Sequence, residues 1–172
     1  MKLDDHVKDN NCLHCTPRNI PVWLVLLDNV PTLFLFIIGS LIIFRVTPIG
    51  SVVFLLYSFF SVFYFWAKIC PYCPHFDTLA CPCGYGIISS KLFKRKTDKS
   101  FKKVFKRNIG IVFPNWFIPL AVIVYLILTD YSKGVLVLSV LFCVTGFILI
   151  PLISKLVGCK NCAIRNDCPW MN

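Results

Sequence analysis

Residues 134–156 read GVLVLSVLFCVTGFILIPLISKL, and Lys155 near the end is their one charged side chain. An α-helix rises 1.5 Å per residue, so about 20 residues cross a bilayer's hydrocarbon core. This stretch is long enough to cross, and it is apolar all round rather than on one stripe, the pattern of a helix with no water-facing side. Three more runs share the pattern, at 21–44, 48–67 and 109–128. The whole composition agrees: 57% of the 172 residues are hydrophobic and only 15% are charged, too apolar for one soluble domain. The expected fold class is an all-α membrane protein with four transmembrane helices.

Outward from these runs the chain divides into five segments. A Cys-containing tail covers 1–20, a first transmembrane hairpin 21–67, a Cys-rich basic loop 68–108, a second transmembrane hairpin 109–156, and a Cys-rich tail 157–172. The tail 1–20 is polar, and the run after it is too long for a signal-peptide core, so the first helix is expected to stay in the mature protein. Asp28-Asn29-Val30-Pro31 interrupts the first run. An Asp can cap a helix and Pro suits its first turn, so a helix starting near Val30 is the favoured reading there. The other reading makes Asp28 an intramembrane acid, a functional position by default. In the third run Pro114, Asn115 and Pro119 predict a kinked start whose freed backbone groups need partners within the protein.

Lys and Arg set the orientation. The 68–108 loop carries ten, the N-terminal tail three and the C-terminal side three, and four spans place these regions on one face. The other face has only Arg45 and Lys133, a ratio of 16 to 2. The positive-inside rule makes the rich face cytoplasmic, N-in/C-in. The protein is therefore expected to be multi-pass in a cell membrane, with short outer loops. The formal net charge of +10 fits an anionic leaflet in a chain this apolar, and no nucleic-acid partner is expected.

Nine of the ten cysteines fall on that cytoplasmic face: Cys12 and Cys15; Cys70, Cys73, Cys81 and Cys83; Cys159, Cys162 and Cys168. Cys143, inside the fourth run, reads as a buried apolar residue. Disulfides are disfavoured in the cytosol, and clustered cytosolic cysteines more often bind metal or do redox chemistry. Four thiolates from Cys70, Cys73, Cys81 and Cys83 can close a zinc site or hold an iron–sulfur cluster. Nearby lysines are expected to lower the thiol pKa values, and Gly84 and Gly86 to let backbone pass close to the sulfurs. His75 reads as a solvent-facing loop residue. A second site is expected where the chain ends meet, from Cys12, Cys15, Cys159 and Cys162, with Cys168 or His14 as substitutes.

Cys70, Cys73, Cys81 and Cys168 are each followed by Pro. This resembles the Cys-Pro step that ends the bacterial ferredoxin run, although the full ferredoxin spacing is absent. The resemblance puts an iron–sulfur cluster ahead of zinc. Cys70-Pro71-Tyr72-Cys73 also matches the active-site tetrapeptide of glutaredoxins, which implies thiol–disulfide exchange. No strand-rich thioredoxin-like segment surrounds it here.

Residues 87–108 carry nine Lys and Arg, with Phe101, Val104 and Phe105 on one helical face. That pattern predicts a short interfacial helix, started by Thr97 or Asp98, on an anionic leaflet or against an acidic soluble partner. His6, His14 and His75 are the only histidines and none lies in a span, which argues against a haem held between helices. No nucleotide-binding or serine-nucleophile motif occurs. Two function classes remain. One is an iron–sulfur electron-transfer or membrane-anchor subunit, working with a soluble redox partner or a larger membrane complex. The other is a zinc-stabilised structural protein. A thiol oxidoreductase or soft-metal handling protein ranks third.

Overall fold

The computed structural model of the protein describes residues Ile20–Cys159, with backbone only from 157 onward. Cys12, Cys15, Cys162 and Cys168, together with the side chain of Cys159, lie outside the described residues, and so does the expected joint site of the chain ends. Among the described residues the fold is helical throughout and contains no strand.

Long apolar runs become long helices because only an α-helix satisfies every backbone group within its own segment. Helix α1 is Val22–Phe44 and α2 is Pro48–Lys68. Thr47 caps α2, its hydroxyl accepting from Gly50 N at 3.4 Å, and Pro48 occupies the first turn, where a missing N–H costs nothing. Two short helices follow, α3 (Tyr85–Leu92) and α4 (Phe101–Asn108). Then come α5 (Pro114–Thr129), α6 (Lys133–Cys143) and α7 (Ile150–Ile153). Ser132 starts α6 by accepting from Val135 N at 3.3 Å. Four stretches are long and apolar enough to cross a membrane: Val22–Phe44, Pro48–Tyr72, Phe101–Thr129 and Lys133–Leu156. The shortest has 23 residues, roughly 35 Å of helix, which exceeds a hydrocarbon core of ~30 Å.

The last span is not a uniform helix. Wider π-helical turns at Val144–Leu149 and Ser154–Cys159 flank α7. Pro151 explains the first of them. Its ring would press on the carbonyl four residues back and it offers no N–H, so the preceding turn opens.

Helix α1 is the pillar of the bundle. Of its most apolar window 44% is buried, against 22% for each of the other three spans. Leu35, Ile38 and Ile42 of α1 meet Ile123 and Leu126 of α5 and Val135 and Phe142 of α6 in one core. Outward faces stay apolar and exposed, for example Ile37, Leu56, Phe59, Val124, Leu128 and Val137. A surface of that kind suits lipid rather than water.

Polar contacts inside the bundle are few and paired. Ser40 and Ser51 hydroxyls lie 2.6 Å apart and tie α1 to α2. Asn115, 1% exposed, ties α5 to α2. Its Oδ1 accepts from Ser58 Oγ at 3.0 Å, and its Nδ2 donates to Ser61 Oγ at 2.9 Å. The predicted kinked start of the third span is a 3₁₀ turn at Ile109–Val112, leading into Pro114. Its Ile111 carbonyl accepts from Tyr57 Oη at 2.7 Å, so the freed backbone does find a partner in the protein.

Three expectations are corrected. Helix α1 runs unbroken through Asp28-Asn29-Val30-Pro31 and begins after Pro21, so Asp28 caps nothing. Helix α4 buries Val104 and Phe105 as the pattern requires, but its N-cap position is Ser100, not Thr97 or Asp98, and no side chain caps it. Cys143 is half-buried rather than buried, because the face of α6 that carries it only grazes the core.

Candidate functional site

The 68–108 loop folds compactly under the end of α2. After Ile69 a 3₁₀ turn carries Cys70–Tyr72, and successive backbone bonds coil the chain on: Cys73 N to Cys70 O (2.9 Å), Phe76 N to Cys73 O (3.0 Å) and Thr78 N to His75 O (3.3 Å). The Thr78 hydroxyl donates to the same His75 carbonyl at 3.0 Å. Asp77 turns the chain with φ 61, which a short polar side chain tolerates, and its N–H reaches Gly86 O at 3.3 Å. This coil buries Cys70 and leaves Cys73, Cys81 and Cys83 half-buried, with no disulfide among them.

Two glycines let the second cysteine pair approach its neighbours. Gly84 has φ +71, and a Cβ there would stand 2.7 Å from Val25 Cγ1 on α1. A Cβ on Gly86 would overlap the His75 carbonyl oxygen and lie 3.3 Å from Cys81 Cβ. Without one, Gly86 N–H points at Cys81 Sγ, 3.4 Å away. Close passage of backbone to a sulfur, expected at both glycines, occurs at Gly86, whereas Gly84 meets Val25 of α1 instead.

Helix α1 grips the same pair. The Asn29 side chain donates to Cys83 O at 3.0 Å and to Val25 O at 2.7 Å. Asp28 lies close enough to the side chains of Cys83 and of Ser154 in the last span to interact with both. Asp28-Asn29 is thus the junction of the first span, the cysteine loop and the last span. A further backbone bond, Ile20 N to Leu79 O at 3.0 Å, pins the start of α1 to the loop.

Electrostatics gathers these groups around Tyr85. The Cys70 thiol interacts electrostatically with Cys73 and Cys81, and the Cys83 thiol with Asp28, Cys81 and Cys70. Burial pushes the Cys83 thiol well above its usual value, and the Asp28 charge and the other thiols push it further. The Tyr85 phenol is raised by burial first and then by the charges that Cys83, Asp28, Cys70 and Cys81 carry when ionised. Its ring packs edge-on against Trp66 and Phe65, with centroids 5.8 Å and 6.2 Å away, which shields part of it from water. The lysines expected to lower the thiols do not act on Cys83: Lys91, Lys94 and Lys96 are exposed, and the influences on that thiol are burial and acidic neighbours. His75 is 8% exposed, not solvent-facing, and burial lowers its pKa.

Among the described residues, no three His, Cys or Asp side chains are gathered into a group that could hold a metal ion as they stand. The thiols of Cys70, Cys73, Cys81 and Cys83 are neighbours without forming a finished coordination shell. Asp28 is the residue whose favoured reading in the sequence missed its place at the site. The signal was there, since an acid within an apolar run points to a site by default.

An apolar cavity of about 450 Å³ adjoins the second pair, bounded by Cys81, Cys83 and Gly84 on the loop side and by Leu33, Phe36 and Phe59 on the helices. The indole Nε1 of Trp66, which also borders it, is buried without a hydrogen-bond partner among the described residues. No protein-family model matches the chain, and no curated protein or solved structure does either.

Proposed function

We propose that this multi-pass membrane protein lies N-in/C-in in the cell membrane and carries a cysteine-ligated metal centre in its cytoplasmic 68–108 loop. Cys70, Cys73, Cys81 and Cys83 are the ligands, and an iron–sulfur cluster is the first choice of centre. It would pass electrons to or from a soluble partner or a larger membrane complex. The observation that carries the reading is that the Tyr85 phenol feels Asp28, Cys70, Cys81 and Cys83 together and, among the described residues, no cationic side chain. Several acidic groups in one water-poor place cannot all ionise unless a cation joins them. Thiols are soft donors that select zinc or iron–sulfur clusters. An N–H aimed at Cys81 Sγ is the kind of hydrogen bond that tunes cluster sulfurs. Cys70, Cys73, Cys81 and Cys83 would hold such a metal as thiolates, giving up their protons and closing together, so site closure and metal affinity would be one process.

The tight bonding of the loop favours zinc as a second reading. Lys96 N donates to Pro71 O at 3.0 Å and Ser89 Oγ to Trp66 O at 2.7 Å, so a structural metal would lock a fold already half built. Burial of Cys70, the first thiol of the glutaredoxin-like tetrapeptide, counts against the thiol-exchange reading, which needs an accessible thiolate.

Anaerobic purification with metal analysis, visible absorption and EPR tests the reading. The expected result is bound iron with visible absorption, lost in Cys73→Ser/Cys81→Ser and kept in Cys143→Ser. Colourless bound zinc, lost in the same double variant, selects the structural reading. Metal content indifferent to Cys73 and Cys81 sinks both. A membrane-impermeant maleimide applied to intact cells is expected to miss Cys81 until the membrane is opened, and labelling from outside overturns the orientation.

A further inference from the structure

A second cavity of about 550 Å³, lined by none of the thiols, opens between the end of α2, the strap before α4, and α4 itself. Five cations line it: Lys68, Lys96, Lys99, Lys103 and Arg107. They come from three separate segments that folding brings together. Among the described residues the one ion pair is Lys99 with Asp98, at 3.9 Å with both side chains 60% exposed, and Asp98 also interacts with the Tyr72 hydroxyl. One carboxylate therefore stands against five cations.

The frame behind these cations is held. Lys96 N–H is bonded to Pro71 O at 3.0 Å, fastening the strap to the turn after α2, and Tyr64 Oη donates to Asn108 Oδ1 at 2.8 Å, fastening α4 to α2. Like charges fixed around one cavity repel each other until an anion enters, so the arrangement favours a multiply charged ligand.

We infer that this cavity binds the phosphate headgroup of an anionic phospholipid. Lys and Arg are the ordinary partners of phosphate oxygens, and Tyr residues sit readily at headgroup depth. A free phosphate shares that chemistry, but the surroundings favour a lipid. Tyr64 borders the cavity, and one turn further into the span Phe60, 52% exposed, packs beside it at 6.2 Å between ring centroids. A headgroup in the cavity would leave its acyl chains against that apolar face. Helix α4 lies alongside with Val104 and Phe105 buried and its lysines outward, the habit of an interfacial helix. The inference does not depend on the metal reading, since none of the thiols borders this cavity.

A general positive surface predicts something different, and charge-matched variants separate the two. The full chain in neutral detergent is titrated with phosphatidic acid and with phosphatidylcholine of the same acyl chains, and adducts are counted by native mass spectrometry. Inorganic phosphate and poly-glutamate serve as competitors, and circular dichroism checks that each variant is folded. Lys96→Gln/Lys103→Gln removes two lining cations, while Lys102→Gln/Lys106→Gln removes two from outside the cavity. Lys68→Gln/Arg107→Gln repeats the first test from the other wall. The expected result is preference for phosphatidic acid, weakened about tenfold or more by either lining pair and less than about twofold by the outside pair. Equal weakening by all three pairs overturns the site in favour of a diffuse charged face. Displacement by inorganic phosphate at equal concentration overturns the lipid as occupant, and tighter binding of poly-glutamate replaces it with an acidic protein.

Discussion

Gly86→Ala is the sharpest test of how the thiol loop is built. In an ordinary helix the change stabilises, because Ala is favoured over Gly by ~1 kcal/mol. Gly86 lies in α3, yet a Cβ there runs into the His75 carbonyl oxygen and sits 3.3 Å from Cys81 Cβ. Both obstacles are stiff, one being backbone and the other the first atom of a side chain. To reach an unstrained separation, α3 or the 73–78 coil must shift by roughly an ångström. Overpacking of that kind costs about 1–3 kcal/mol. The shift also strains two bonds of this residue, Gly86 N to Cys81 Sγ at 3.4 Å and Asp77 N to Gly86 O at 3.3 Å. Each is worth ~1 kcal/mol at most, given its length. Overpacking and lost bonds outweigh propensity, for a net destabilisation of about 2 kcal/mol. At ~2–4 °C per kcal/mol, thermal unfolding in detergent followed by circular dichroism is expected to drop by about 5 °C. Gly110→Ala supplies the comparison, because a Cβ at Gly110 meets nothing within 4 Å. That variant is expected to be neutral or slightly more stable. If Gly86→Ala melts at or above Gly110→Ala, with Cys81 no more reactive to maleimide than before, the close approach is not what holds the loop.

Two further outcomes probe the bundle. Asn115→Leu removes both side-chain bonds from α5 to α2 and leaves Ser58 and Ser61 without it. At ~0.6 kcal/mol per bond between membrane helices, a loss of about 1–2 kcal/mol is expected in reversible unfolding from mixed micelles, and no loss would show that the apolar contacts suffice. Tyr57→Phe deletes the donor to the Ile111 carbonyl and should cost about 1 kcal/mol in the same assay, with Tyr125→Phe, exposed on α5, as the silent comparison.

The four spans were legible in the sequence because their cause is local. A run of twenty or more apolar residues can satisfy its backbone in lipid only as a helix, whatever its neighbours do. The grouping of Val104 and Phe105 on one face of α4 was legible for a similar reason, since 3.6-residue periodicity places them together without help from the rest of the chain, but their burial against the protein itself was not. The cysteine spacings put Cys70, Cys73, Cys81 and Cys83 in one short loop, whose short connections keep their ends close, and their union in one metal site stays a proposal. Only the tertiary structure decided what faces them. Asp28 stands 42 positions before Cys70 and 55 before Cys83 in the chain, and its contact with Cys83 and Ser154 exists because α1 packs centrally against the loop and the last span. Read locally, Asp-Asn-Val-Pro suits a helix start, and that preference loses to the packing of an unbroken α1. His75 and the cation-lined cavity behind α2 follow the same logic. Burial, and the meeting of Lys68 with Lys103 and Arg107, depend on distant segments closing on one another, which no window of the sequence contains.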